Sequence, residues 1–130
     1  VTSGALGRVY RDGESIVVQG EMGENMYVIQ QGTVEVLREE AGRMFRLTEL
    51  GPGEIFGEMA LYEKAPRSAT VRAVGEVRAL TVDKKTFLRR VQEDPSLAFN
   101  VLRALSARIR GLDVEVVALR EQLRARREET

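Results

Sequence analysis

The chain has 130 residues, 20 Lys and Arg set against 20 Asp and Glu, and neither histidine nor cysteine. One domain with a modest core fits that length, and zero net charge argues against a general nucleic-acid binder. Disulfide and thiolate chemistry are excluded, and the commonest general base and metal ligand is missing, so neither a catalytic residue nor a metal site is expected.

Val1 in place of Met reads as the start of a fragment or a processed chain, with residues 1–6 poorly ordered or a remnant of a preceding helix. No apolar run approaches the ~18 residues of a membrane-crossing helix, and no signal peptide is visible. A cytoplasmic protein without membrane contact is the expectation.

From Gly7 to Asp83 the sequence reads as short strands separated by Gly turns. Ser15 to Gln19 follows the Asp12-Gly13 turn, Met26 to Gln30 comes next, and Thr33 to Arg38 follows Gly32. Val34 and Val36 alternate with Thr33, Glu35 and Leu37, the period of a half-buried strand. After a turn at Glu39 to Gly42, Arg43 to Leu50 returns as a hairpin partner. Ala69 to Val74 and Val77 to Val82 are two further strands joined near Gly75. The glycines of this region, including the Gly20-Glu21-Met22 segment, are read as turn geometry.

Between these strands lies Phe56-Gly-Glu-Met-Ala-Leu-Tyr-Glu-Lys-Ala-Pro-Arg-Ser-Ala-Thr-Val-Arg-Ala73. It reads as a strand end, a Gly turn, one helical turn from Glu58 to Tyr62, a Pro stop and a new strand. Backbone N–H groups at the start of the turn suit an anion. Pro66 restricts the entry of Arg67, whose planar fork of donors matches a phosphate, and Ser68 adds a hydroxyl. Glu58 only accepts at neutral pH, which suits a sugar hydroxyl. Together these groups fit a sugar phosphate.

Two helices follow. Asp83 is read as the N-cap of a short helix over 84–93, with Phe87, Leu88 and Val91 on one face. Asp94 and Pro95 then start a second helix, an N-cap followed by Pro at the first helical position, expected over 95–127. Its apolar residues Ala98, Leu102, Leu105, Ile109, Leu112, Val116, Leu119 and Leu123 alternate spacings of four and three, a heptad repeat. Leu at d with β-branched Ile109 and Val116 at a favours a parallel two-stranded coil. In that arrangement Arg108 faces Asp113 of the partner chain, and Glu115 faces Arg120. A parallel homodimer through Leu102, Leu105, Ile109, Leu112, Val116, Leu119 and Leu123 is therefore expected. The charged residues from Arg124 to Thr130 are read as a solvated, fraying end rather than a nucleic-acid arm.

Phe56, Gly57, Glu58, Ala60, Leu61, Pro66, Arg67 and Ala69 resemble the phosphate-binding cassette of the cyclic nucleotide-binding domain. That family includes the catabolite activator protein, the regulatory subunits of cAMP-dependent protein kinase and cyclic-nucleotide-gated channels. Gly23-Glu24-Asn25-Met26-Tyr27 before Gly32 is similar to the family's first half, so the resemblance covers nearly the whole chain. It implies a mainly β fold with C-terminal helices: a β-roll (a jelly-roll-like double-stranded β-helix) over 7–83, then the short and the long helix, within one domain over 1–130. It also implies that Arg67 and the backbone N–H groups of Ala60 and Ser68 hold the cyclic phosphate, with Met59 beside Ala60 in the same ligand-binding cassette. Glu58 and the Gly57 backbone would hold the ribose 2′-hydroxyl, and Val36, Leu47 and Phe56 would line the pocket around sugar and base. In the family, Thr after the cassette arginine helps cGMP, and Ser68 here is closer to the cAMP pattern, so cAMP is expected ahead of cGMP. The catabolite activator protein grips adenine with hydroxyl residues on its long helix. The nearest positions here are Val116 and Val117, so base recognition falls to other groups such as Arg110 or Asp113, or is weak. The family also sets this helix against the base, which implies that ligand and dimer seam act on one element.

The resulting expectation is a regulatory sensor that binds a cyclic nucleotide without turning it over and makes no direct nucleic-acid contact. Three alternatives stand beside it. A degenerate roll could serve as a dimerisation scaffold with no ligand. The chain could be the sensor fragment of a larger transcription regulator. A cupin-type enzyme would share the roll, but such enzymes usually hold metal through several histidines.

Overall fold

The computed structural model describes residues 7–129, so the reading of residues 1–6 lies outside the described residues. The elements run β1 (Arg8–Tyr10), β2 (Ser15–Val17), β3 (Asn25–Glu40), β4 (Arg43–Leu50), β5 (Ile55–Phe56), a short 3-10 helix (Glu58–Leu61), β6 (Thr70–Asp83), α1 (Lys84–Glu93) and α2 (Ser96–Glu129). They form an antiparallel β-roll followed by two helices, with β1, β6, β3 and β4 side by side, β2 on β6 and β5 on β3. The chain divides into two units, one ending at Leu88 and one beginning at Arg89.

The main departure from the sequence reading is continuity. Met26 to Gln30 and Thr33 to Arg38 are parts of one strand, β3, and the two strands expected on either side of Gly75 are one strand, β6. Locally each Gly suggests a break, whereas here it is a kink inside a ladder. β3 and β6 pair from Asn25↔Asp83 to Leu37↔Thr70, with the register shifting on both sides of Gln31. Gly32 at φ 90° and Gly75 at φ 72° take up the bend. A Cβ at Gly32 would also overlap the Glu76 carbonyl oxygen. The hairpin turn is tighter than expected. β3 reaches Glu40 and β4 starts at Arg43, leaving Ala41 and Gly42, both left-handed, as a two-residue connection of the kind that matches strand twist.

β3 and β6 supply most of the buried side chains, with Met26, Leu37 and Val82 buried outside the main cluster. Val34, Val77, Ala79 and Ile29 are fully buried and pack with Tyr10, Phe56 and Leu50 in one cluster. Burial there pushes the Tyr10 hydroxyl above its usual range. β4 is different: only Leu50 is buried, and Met44, Phe45 and Leu47 are exposed.

Both caps are present. Asp83 Oδ1 accepts the Thr86 N–H at 2.7 Å and starts α1. Asp94 Oδ1 accepts from the Ser96 N–H at 3.1 Å and the Ser96 hydroxyl at 2.6 Å at the start of α2. α2 runs through Glu129, past the expected 127, so the charged end is helical. Arg126 and Arg127 in its last turn complement the helix dipole, and Arg124 reaches Glu121 at 3.5 Å and Glu128 at 3.9 Å. No residue of α2 is buried, and Leu102, Ile109, Leu112, Leu119 and Leu123 are each more than half exposed.

The kink at Gly32 makes a stability prediction. Gly32→Ala combines left-handed strain with a clash against Glu76 backbone and should lower stability by about 2–4 kcal/mol. Urea unfolding followed by circular dichroism measures this, and an unchanged midpoint would mean that the β3–β6 kink does not need glycine.

Candidate functional site

β5 places the cassette. Phe56 pairs with Tyr27 and Ile55 with Val28, so the chain leaves β5 beside the start of β3. Gly57, at φ 76°, turns it into the 3-10 helix Glu58–Leu61. From the other side, Pro66 bridges Met22, the Arg67 N–H donates to Glu21 O at 2.9 Å, and Arg67 O accepts the Gly20 N–H at 2.9 Å. The segment from Gly20 to Met22 is therefore a strand-like clasp on the arginine backbone, beyond the plain turn expected for it.

The guanidinium is set by backbone. Arg67 Nη1 donates to Gly57 O at 3.2 Å and Nη2 to Asn25 O at 2.8 Å. Its Cζ lies 5.9 Å from the centroid of the Tyr27 ring, which stacks on Phe56 at 5.0 Å. Two glycines make room for it. A Cβ on Gly57 would come within 2.7 Å of Nη1, and one on Gly23 would overlap the guanidinium itself. Gly23 does not have a positive φ, so its need for glycine is close approach, not turn geometry. The two carbonyls use two of the five N–H donors an arginine carries and fix the plane in which the others are offered.

Glu58 opens the 3-10 helix, half-buried, with an Oε1 that exposes essentially no surface. Gly57 O accepts from Ala60 N–H at 3.2 Å as well as from Arg67, so one carbonyl ties the turn to the arginine. The Ala60 N–H expected to meet a phosphate is thus already engaged within the turn and would have to share its proton. Met59 and Ser68 are exposed. Among the apolar candidates, Phe56 is buried in the core and supports Tyr27, and Val36 is half-buried against the same core. Leu47 stands at the bulge where the β3–β4 register shifts beside Val36, with 48% of its surface exposed.

The structure thus brings Gly57, Glu58, Ala60 and Arg67 together. It also recruits groups that residue chemistry alone did not single out: the Asn25 carbonyl, the Gly23 backbone and the Tyr27 face. The signal for them was the Gly23 to Tyr27 segment, which carries no side-chain donor pattern of its own.

Comparison with known proteins agrees with this geometry. The family model described as "Cyclic nucleotide-binding domain" matches residues 7–94. The chain is 36% identical over 110 residues to the Cyclic AMP receptor protein of Thermus thermophilus, covering 84% of this chain and 51% of that protein. It is 44% identical over 86 residues to a cAMP-dependent protein kinase regulatory subunit of Mucor circinelloides, covering 65% of this chain and 20% of that subunit. The chain therefore spans about half the length of the first relative and a fifth of the second. Among solved structures, the Thermus thermophilus Catabolite Activator Protein superposes with a TM-score of 0.75 at 34% identity, over 86% of this chain and 53% of that one. A halfsite-occupied form of the EAL enzyme Bd1971 superposes at 0.65 and 35% identity, over 82% of this chain and 96% of that chain. With an oriented cassette arginine, a β-roll and a family match over most of its length, the chain belongs to the cyclic nucleotide-binding domain family.

Proposed function

We propose that this chain is a sensor module that binds a 3′,5′-cyclic nucleotide, with cAMP ahead of cGMP, and dimerises through α2. The observation that carries the reading is the Arg67 guanidinium, seated between Gly23 and Gly57 and oriented by two carbonyls, beside the acceptor Glu58. Arg67, sharing the work with the Ser68 and Ala60 backbone, would take the cyclic phosphate. Glu58 and the Gly57 backbone would take the ribose 2′-hydroxyl, next to Met59 in the same turn. Val36, Leu47 and Phe56 would form or support the apolar wall. Binding leaves the ligand intact, because these groups supply charge and acceptors but no paired nucleophile and base.

Arg67→Ala should weaken cAMP binding by about 30-fold or more, because a buried charge partner is worth ~2–5 kcal/mol. Gly23→Ala should cost about tenfold. Its Cβ meets the far end of a flexible side chain, so the fold survives while the guanidinium moves. Isothermal calorimetry with circular dichroism as a folding control checks both, and wild-type affinity in Arg67→Ala would return that residue to an ordinary surface arginine.

The preference for cAMP rests on Ser68 and on relatives named for cAMP. A cGMP reading has its own support, since a Bd1971 form described as cGMP bound superposes at a TM-score of 0.60 and 36% identity over 79% of this chain. Competition titration should show cAMP as the tighter ligand, with recovery of unchanged nucleotide after prolonged incubation. A tighter cGMP would reverse the order.

The dimer is supported by a heptad stripe that is exposed at Leu102 and from Ile109 to Leu123. Leu112→Asp sets two carboxylates in one d layer and should convert a dimer to a monomer in analytical ultracentrifugation. Persistence of the dimer would place the seam elsewhere.

A further inference from the structure

The Gln19 side chain makes a contact that neither the fold nor the cassette requires. Its Oε1 accepts the Glu39 N–H at 2.7 Å and its Nε2 donates to Glu39 O at 3.1 Å. An amide that bonds both backbone groups of one residue imitates a neighbouring strand. The need for it follows from the ladder. β6 begins at Thr70, where it pairs with Leu37, so the end of β3 beyond Leu37 has β4 on one side and no β6 rung on the other. Gln19 supplies that rung. Its own N–H donates to Thr70 Oγ1 at 2.9 Å, at the first residue of β6. The next residues, Gly20 and Glu21, hold the Arg67 backbone in both directions.

From Arg38 to Glu49 the hairpin has no buried residue to anchor it. We infer that Gln19 is a positioning residue for the nucleotide site, latching the β3–β4 hairpin that carries Leu47 to the segment that holds Arg67. This rests on the nucleotide-binding reading above. The phosphate end and the apolar wall then move as one body, and a wall already in place does not have to be ordered when ligand arrives. Unlatching the hairpin leaves the encounter step unchanged and speeds ligand release.

Gln19→Met keeps the size of the side chain and removes both hydrogen bonds, and Gln19→Glu keeps an acceptor but sets a carboxylate against Glu39 O. Two measurements on the full chain test the inference: stopped-flow binding of a fluorescent cAMP analogue, and hydrogen exchange of residues 38–49. Both variants should exchange faster in the hairpin and release nucleotide about five- to tenfold faster, with association rate and melting temperature nearly unchanged. Faster exchange with a wild-type release rate would make the latch purely structural and overturn the inference, as would no change in either. A wild-type chain that binds neither cAMP nor cGMP overturns the nucleotide reading itself, and the positioning role falls with it. A wild-type chain that binds while both variants release at its rate overturns the positioning role alone.

Discussion

The long antiparallel pairing of β3 with β6 is the constraint on which the roll depends. It runs the full length of β6 and along β3 as far as Leu37, and bends once, where Gly32 approaches Glu76 and Gly75 turns with it. The ladder resumes on both sides of the bend, and at the bend itself the Gly75 N–H donates to Asp12 Oδ1 at 2.7 Å. Side chains from both sides of the bend, Ile29, Val34, Val77 and Ala79, meet in one core. β1, β2, β4 and β5 each add to an edge of this pair and none of them pairs with another.

The cassette inherits its geometry from that frame. The start of β3 supplies Asn25 O and the Tyr27 ring, the end of β5 supplies Gly57, and the segment before β6 delivers Arg67. A guanidinium offered to an anion must be rigid to be selective, because a mobile one forfeits the bidentate geometry that distinguishes Arg from Lys. Here rigidity comes from carbonyl oxygens and absent Cβ atoms instead of from a partner carboxylate. Neutral carbonyls orient the fork without cancelling its charge.

The helical part follows a different logic. Its caps at Asp83 and Asp94 are local, and its heptad stripe needs no information from the roll. No residue of this 34-residue helix is fully buried, and its surface ion pairs are each worth a few tenths of a kcal/mol. The proposed dimer would bury the stripe along its exposed part.

How much of this could be read in the residues varies with the range of the interaction. The caps, the two helices, the Gly57 turn and Arg67 with its Pro66 entry were legible, because each is decided within a few residues along the chain. Strand continuity was not. Gly32 and Gly75 look like turn residues locally, and only the partner strand reveals that both bend together inside a ladder. Gly23 is illegible for a related reason, since the atoms that exclude a side chain there belong to Arg67, far along the chain. The rung that Gln19 adds at Glu39 is likewise invisible in one dimension. By itself, then, the sequence determined the element types, the helix boundaries to within two residues and the identity of the cassette arginine. Tertiary structure alone decided which backbone groups aim that arginine and which strand each glycine bends. Short-range propensity acts between neighbours in sequence, while ladder register and close approach are set by residues that folding makes neighbours in space.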